Sequence, residues 1–140
     1  MASAHPAWEP LFARLTTLKT HWPARAWSWD KRFTCITSSF TVEYEAQARA
    51  AALAVLPTEV TSKSLARAPA NVRAFAERTG GLRDGQMLLR ADDAPGLFVF
   101  GLWWPWGDDA TISFRIGIAD LEWSDDPYPR FRQIFNVATE

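Results

Sequence analysis

From residue 111 to 118 the chain reads TISFRIGI, an alternation that sends Ile112, Phe114, Ile116 and Ile118 to one side and Thr111, Ser113, Arg115 and Gly117 to the other. A period of two marks a strand with one buried face. The preceding LFVFGLWWPW, residues 97–106, is apolar at consecutive positions and reads as a strand with apolar residues on both faces. GQMLLRA, 85–91, reads as a shorter strand, and DDAPG, 92–96, and GDDA, 107–110, read as the intervening turns. These three strands form an antiparallel meander. Upstream, RFTCITSSF, 32–40, is rich in β-branched and aromatic types and reads as one earlier strand.

Other segments follow the helical period. Trp8, Leu11, Phe12, Leu15 and Leu18 recur at steps of three and four, predicting a helix over 7–20 with Pro10 in its first turn. The aromatic WPARAWSWD, 22–30, follows neither period and reads as a connector from Pro23 onward. AQARAAALAVL has no breaker before Pro57, which predicts a helix over 43–56, with Thr41 able to cap it and Glu43 and Glu45 favoured by its dipole. PTEVTSKSLAR, 57–67, reads as a polar loop. In APANVRAFAERTGG, Pro69 opens a helix, Val72, Phe75 and Ala76 share a face, and Gly80 and Gly81 stop it. Phe131, Ile134 and Phe135 in DPYPRFRQIFNV predict a short last helix. The expected fold over 1–140 is a single α+β domain, its antiparallel sheet covered by helices on one face.

Composition narrows the class of protein. With 48% hydrophobic residues in 140, the chain can bury one core without metal or disulfide support. Cys35 is the single cysteine, so no intrachain disulfide and no cysteine-rich zinc site can form, which fits a reducing, cytoplasmic setting. MASAHPAWEPLFARL lacks a basic segment followed by an unbroken apolar run, so no signal peptide is expected. The longest apolar stretch, Gly96 to Trp106, is well short of the roughly 20 residues a membrane helix needs. Ala, Arg, Pro and Trp usage points to a bacterial source. Net charge is −1, but residues 1–90 hold 12 Lys and Arg against 7 Asp and Glu, while 91–140 hold 3 against 9. Such asymmetry either draws the halves together or offers an acidic surface to a basic partner.

Motifs for catalysis are sparse. His5 and His21 lack the spacing that would set both on one helix face for a metal. Cys35 in a strand is expected to be buried as a small hydrophobe rather than activated as a nucleophile. No G-x-S-x-G string, Walker-type phosphate loop or GxGxxG occurs, and the glycines of RTGGLRDGQ suit a helix stop and a turn. The carboxylate pairs Asp92/Asp93, Asp108/Asp109 and Asp125/Asp126 all sit near Gly or Pro, where aspartate forms turns. Arg67, Arg73, Arg78, Arg83 and Arg90 make a basic stretch, but acids interrupt it and no RNP-like or zinc-finger string accompanies it, so nucleic acid is not the expected partner.

WWPW remains. Neighbouring Trp103 and Trp104 must point to opposite faces of a strand, so one core cannot hold both. Pro105 cannot donate a ladder hydrogen bond and belongs at a strand end. A tryptophan beside Gly107, Asp108 and Asp109 combines an aromatic anchor with an acidic rim. The expectation is a small cytosolic, non-enzymatic protein of the immunity, antitoxin or chaperone-like adaptor type. It would bind a basic protein partner through Trp104, Trp106, Asp108 and Asp109, and would need no metal or cofactor. The alternative is a small-molecule-binding domain or enzyme with a Trp-lined pocket between sheet and helices, using Asp and Arg groups.

Overall fold

A computed structural model describes residues 8–24, 26–32, 34–91, 98–119 and 128–137. The expected turn at 92–96, His5, Asp92/Asp93, Asp125/Asp126 and the side chain of Trp8 lie outside the described residues. Among the described residues one antiparallel sheet forms from β1 (Ser28–Asp30), β2 (Cys35–Thr41), β3 (Thr58–Thr61), β4 (Met87–Arg90), β5 (Phe98–Pro105) and β6 (Thr111–Ala119). Their order is β1-β2-β6-β5-β4-β3. With helices α1 (Trp8–His21), α2 (Glu45–Val55), α3 (Ala70–Arg78) and α4 (Tyr128–Ile134), the class is α+β, as the hydrophobic pattern predicts.

The expected meander is present as β4-β5-β6, but it is half of a larger sheet. Two strands lay in segments that read as connectors. β1 is three residues long and β3 four, each at a sheet edge, and β3 buries only Val60 between polar neighbours. A strand that short and that exposed leaves no period in the sequence.

The pattern of β6 holds in full: Ile112, Phe114, Ile116 and Ile118 are buried in the larger core. Leu11, Phe12, Leu15 and Leu18 of α1, Ala48, Ala51, Ala52 and Val55 of α2, and Phe131 of α4 cover that face. Small alanines let α2 approach closely. Trp22 enters the same core with its ring 5.0 Å from Phe114 and 5.3 Å from Phe40, and its Nε1–H donates to the buried Ser38 hydroxyl at 3.0 Å. Tyr128 of α4 donates its hydroxyl to the Ile118 carbonyl at 2.7 Å, pinning the last helix to the sheet.

Helices do not cover one face alone. α3 packs Val72, Phe75 and Ala76 on the opposite face against Val60, Leu88, Phe100 and Leu102, with Phe75 and Phe100 rings 4.5 Å apart. The cause is β5, whose apolar residues on both faces each require a cover. Gly80 and Gly81 end α3 with φ of 98° and 82°, and their N–H groups return to the carbonyls of Glu77 and Ala76 at 3.1 and 2.8 Å. Thr41 does not cap α2. A 3₁₀ turn, Val42–Tyr44, intervenes, and the Thr41 hydroxyl donates to Glu43 Oε1 at 3.0 Å instead.

Two ring-over-glycine contacts hold β5 to β6. A Cβ on Gly117 would fall 2.6 Å from Phe100 Cζ, and one on Gly101 would fall 2.8 Å from Phe114 Cε1. The rings occupy the space that any side chain would take. Phe114 touches both this contact and the Trp22 ring, so Phe114→Ala is expected to lower unfolding free energy by about 3–5 kcal/mol in denaturant titration. A loss below about 1 kcal/mol would show that this face is not the core.

Candidate functional site

The end of the β5–β6 hairpin is built by local hydrogen bonds. Trp106 N–H donates to Thr111 O at 2.8 Å. Asp108 Oδ1 accepts from the N–H groups of Ala110 and Thr111, each at 2.9 Å, and its Oδ2 accepts from the Thr111 hydroxyl at 2.8 Å. These donors, the Ala110 N–H foremost, hold the Asp108 carboxyl below its usual pKa. Asp109 has φ of 56°, a left-handed conformation that aspartate tolerates better than most residues.

The sequence-predicted site residues divide into two groups. Trp106, Asp108 and Asp109 come together, exposed, at the turn. Trp106 is 50% exposed, yet its ring is fixed: Nε1–H donates to Ser113 Oγ at 2.7 Å, and Ser113 Oγ lies 3.1 Å from Ser39 Oγ. Trp104 is set back on the α3 side of the sheet, half-buried, with the Arg115 guanidinium 4.6 Å from its ring centroid. Arg115 Nε–H donates to Asp30 Oδ2 at 2.9 Å, and these side chains are only 17% and 15% exposed. Trp103 points to the opposite face and is fully buried, as strand alternation requires. Trp104 is therefore a clamped ring rather than a free anchor.

Sequence reasoning missed a second part of this surface. Val42 and Tyr44 are 43% and 44% exposed, and Val42 N–H donates to Ala110 O at 2.9 Å, which ties their 3₁₀ turn to the hairpin. Val42, Tyr44 and Trp106 are the large apolar side chains left exposed among the described residues, and all fall at one end of the sheet. Glu43 and Glu45 flank Tyr44 in the chain, Asp108 and Asp109 follow Trp106 at the turn, and all four are exposed. Helical spacing back from Ala48 places Tyr44 on the buried stripe of α2. The tighter 3₁₀ winding turns it out.

Beside this patch a cleft of about 530 Å³ opens between α2 and the ends of β3 to β5. Its lining includes Glu45, Arg49, Lys63, Asp84, Trp103 and Pro105. Arg49 is already engaged with both Glu59 oxygens at 2.9 Å, and Asp84 accepts from the Ser62 hydroxyl at 3.2 Å.

Elsewhere, Arg67, Arg73, Arg78 and Arg83 are exposed on and around α3, and Arg90 is half-buried. His21 is exposed at the end of α1, and among the described residues no group of three His, Cys, Asp or Glu is placed to hold a metal. No described helix is long and apolar enough to cross a membrane. Cys35 is buried in β2, and desolvation, then the charge of Asp30, pushes its thiol up to about 12. Among the described residues, ion pairs of Arg115 with Asp30 and Arg130 with Glu9 join the halves of the chain. Each consumes a base of the acidic half and an acid of the basic half.

No protein-family model matches this chain, and neither a curated protein nor a solved structure matches it.

At about pH 8 a maleimide is expected to leave Cys35 unmodified in the folded protein and to label it once denaturant is added. Fast labelling of the folded chain would contradict its burial. Asp108 gives a pH test. A carboxyl with a lowered folded pKa stabilises above the unfolded value, near 3.8, and that contribution is lost as pH falls through the folded value. The Tm difference between the wild type and Asp108→Ala is expected to be full at neutral pH and to close in acid below 3.8. A constant difference would mean that the turn does not depend on the charge.

Proposed function

We propose that this chain is a non-enzymatic binding protein that engages a basic protein partner through the hairpin end, with Trp106 and Tyr44 as anchors and Asp108, Asp109, Glu43 and Glu45 as rim. One observation carries the reading: Val42, Tyr44 and Trp106, the exposed large apolar side chains among the described residues, all collect at one acidic end of the sheet. Aromatic rings give large contact area for few rotors lost, and surrounding acids steer a positive partner into register. Trp106 is held by Ser113 before any partner arrives, so little ordering entropy remains to be lost on binding. Trp104 serves from below, as the ring that locates Arg115. An immunity protein, antitoxin or chaperone-like adaptor of a bacterial cytosol, covering a basic groove on its target, fits this chemistry. The alternative of a small-molecule binder draws support from the neighbouring cleft, which lies between sheet and helix over Trp103 with Arg49 and Asp84 on its walls.

Comparative capture from a bacterial lysate, with wild type and Trp106→Ala as baits and mass spectrometry as readout, identifies the partner as the protein lost with the ring. With that partner purified, Trp106→Ala is expected to weaken the complex by about 2 kcal/mol or more. Asp109→Asn combined with Glu45→Gln is expected to slow association and flatten its salt dependence, because both changes remove charge while asparagine still suits the left-handed position and Asp108 is untouched. Unchanged affinity in both variants, with circular dichroism confirming the fold, would place the interface elsewhere.

A further inference from the structure

A second cleft, of about 730 Å³, opens between the outer edge of β1 and the C-terminal end of α4. Its described lining includes Trp27, Ser28, Trp29, Lys31, Arg132 and Asn136. The hairpin turn stands at the Thr41–Thr111 end of β2, whereas Lys31 follows β1 at the Asp30–Cys35 end. The two regions are separate, and neither reading depends on the other.

The walls are aromatic and braced. Trp27 packs 4.6 Å from Phe135 and 5.2 Å from Trp22, and Trp29 meets the Tyr128 ring at 5.9 Å. Both indoles are half-buried, so each is held by the core and still borders the cleft. The Arg132 guanidinium lies 4.4 Å from the Trp29 centroid, which restrains a long side chain before any ligand arrives.

Among the described lining residues the charged side chains, Lys31 and Arg132, are both basic. Lys31 is exposed, and among the described residues its side chain and those of Ser28 and Asn136 have no ion-pair or hydrogen-bond partner. No acid stands among the described lining residues. The helix end beside them is closed: Val137 N–H donates to Arg132 O at 2.9 Å and Asn136 N–H to Gln133 O at 3.1 Å. Those carbonyls, the negative end of the helix, are occupied and oppose an anion less than free ones would.

We propose that this cleft binds a small organic anion built on a planar ring, with the ring against Trp27 and Trp29 and its carboxylate or phosphate between Lys31 and Arg132. The volume lies in the range of small-molecule sites, and the lining pairs apolar walls with a few convergent polar groups, as such sites do. Ring and charge are both required. An anion without a ring leaves the indoles unused, and a cationic ring meets Lys31 and Arg132 as repulsion.

The test uses the purified full chain and heteronuclear NMR of the tryptophan indole N–H signals, titrated separately with indoleacetate, adenosine monophosphate, tryptamine and acetate. Saturable shifts of the Trp27 and Trp29 signals with at least one ring anion are expected, and tryptamine and acetate are expected to bind at least tenfold more weakly (roughly 1.4 kcal/mol). Response to indoleacetate alone assigns a carboxylate ligand, to adenosine monophosphate alone a phosphate ligand, and to both a site that reads ring and charge together. Lys31→Gln, at an exposed position, and Arg132→Lys, which keeps the charge but loses the planar fork, are each expected to weaken binding roughly tenfold with the fold unchanged by circular dichroism. The proposal is overturned if neither ring anion saturates by roughly 10 mM. It is equally overturned if tryptamine binds as tightly as indoleacetate, or if Lys31→Gln leaves the affinity unchanged.

Discussion

Strand β5 is apolar on both faces, and the architecture answers to that constraint. Val99 and Trp103 face the larger core, while Phe100, Leu102 and Trp104 face the other side. A strand of this kind loses most of its stabilisation if either face stays wet, so it sits near the centre of the sheet with β6 and β4 as neighbours. Three helices and the Trp22 connector cover one side, and α3 covers part of the other. The glycines at 101 and 117 belong to the same solution, since each yields its side-chain space to a phenylalanine ring of the adjoining strand.

The side that α3 covers changes character across the sheet. Over β3, β4 and β5 it is apolar, and over β6, β2 and β1 it carries Thr111, Ser113, Arg115, Thr37, Ser39 and Asp30. Trp104 and Arg115 meet at the boundary. Removing the Arg115–Asp30 pair from water is costly, and the attraction between them is joined by the contact of the guanidinium with the Trp104 ring. The Trp106–Ser113–Ser39 chain continues this polar strip toward the hairpin turn. An exposed indole at a loop end would ordinarily sample many rotamers. Here a hydrogen bond to a buried serine holds it, so the exposed end of the sheet is also an ordered one.

How much was legible in the sequence depends on whether a segment's burial is local. TISFRIGI and the Leu11-to-Leu18 spacing carry their own periods, because each has one face entirely in the core, and both elements formed where the pattern placed them. The opposed orientations of Trp103 and Trp104 follow from strand geometry alone. By contrast, β1 and β3 are edge strands whose few residues gain order only from the ladder beside them, so no period announced them. The same limit applies to the surfaces. The turn chemistry of WPWGDD could be read locally, but Val42 and Tyr44 join it only because Thr41 pairs with Thr111 and a 3₁₀ turn rotates both outward. The cleft between β1 and α4 draws its walls from residues about a hundred positions apart in the chain, a distance that no local pattern spans. Alternation and helical spacing are properties of neighbours along the chain, and they determined which residues seek the core. Which side of the sheet each helix covers, and which aromatic and charged groups meet at its edges, was decided by the apolarity of β5 on both faces and by the register of the strands around it.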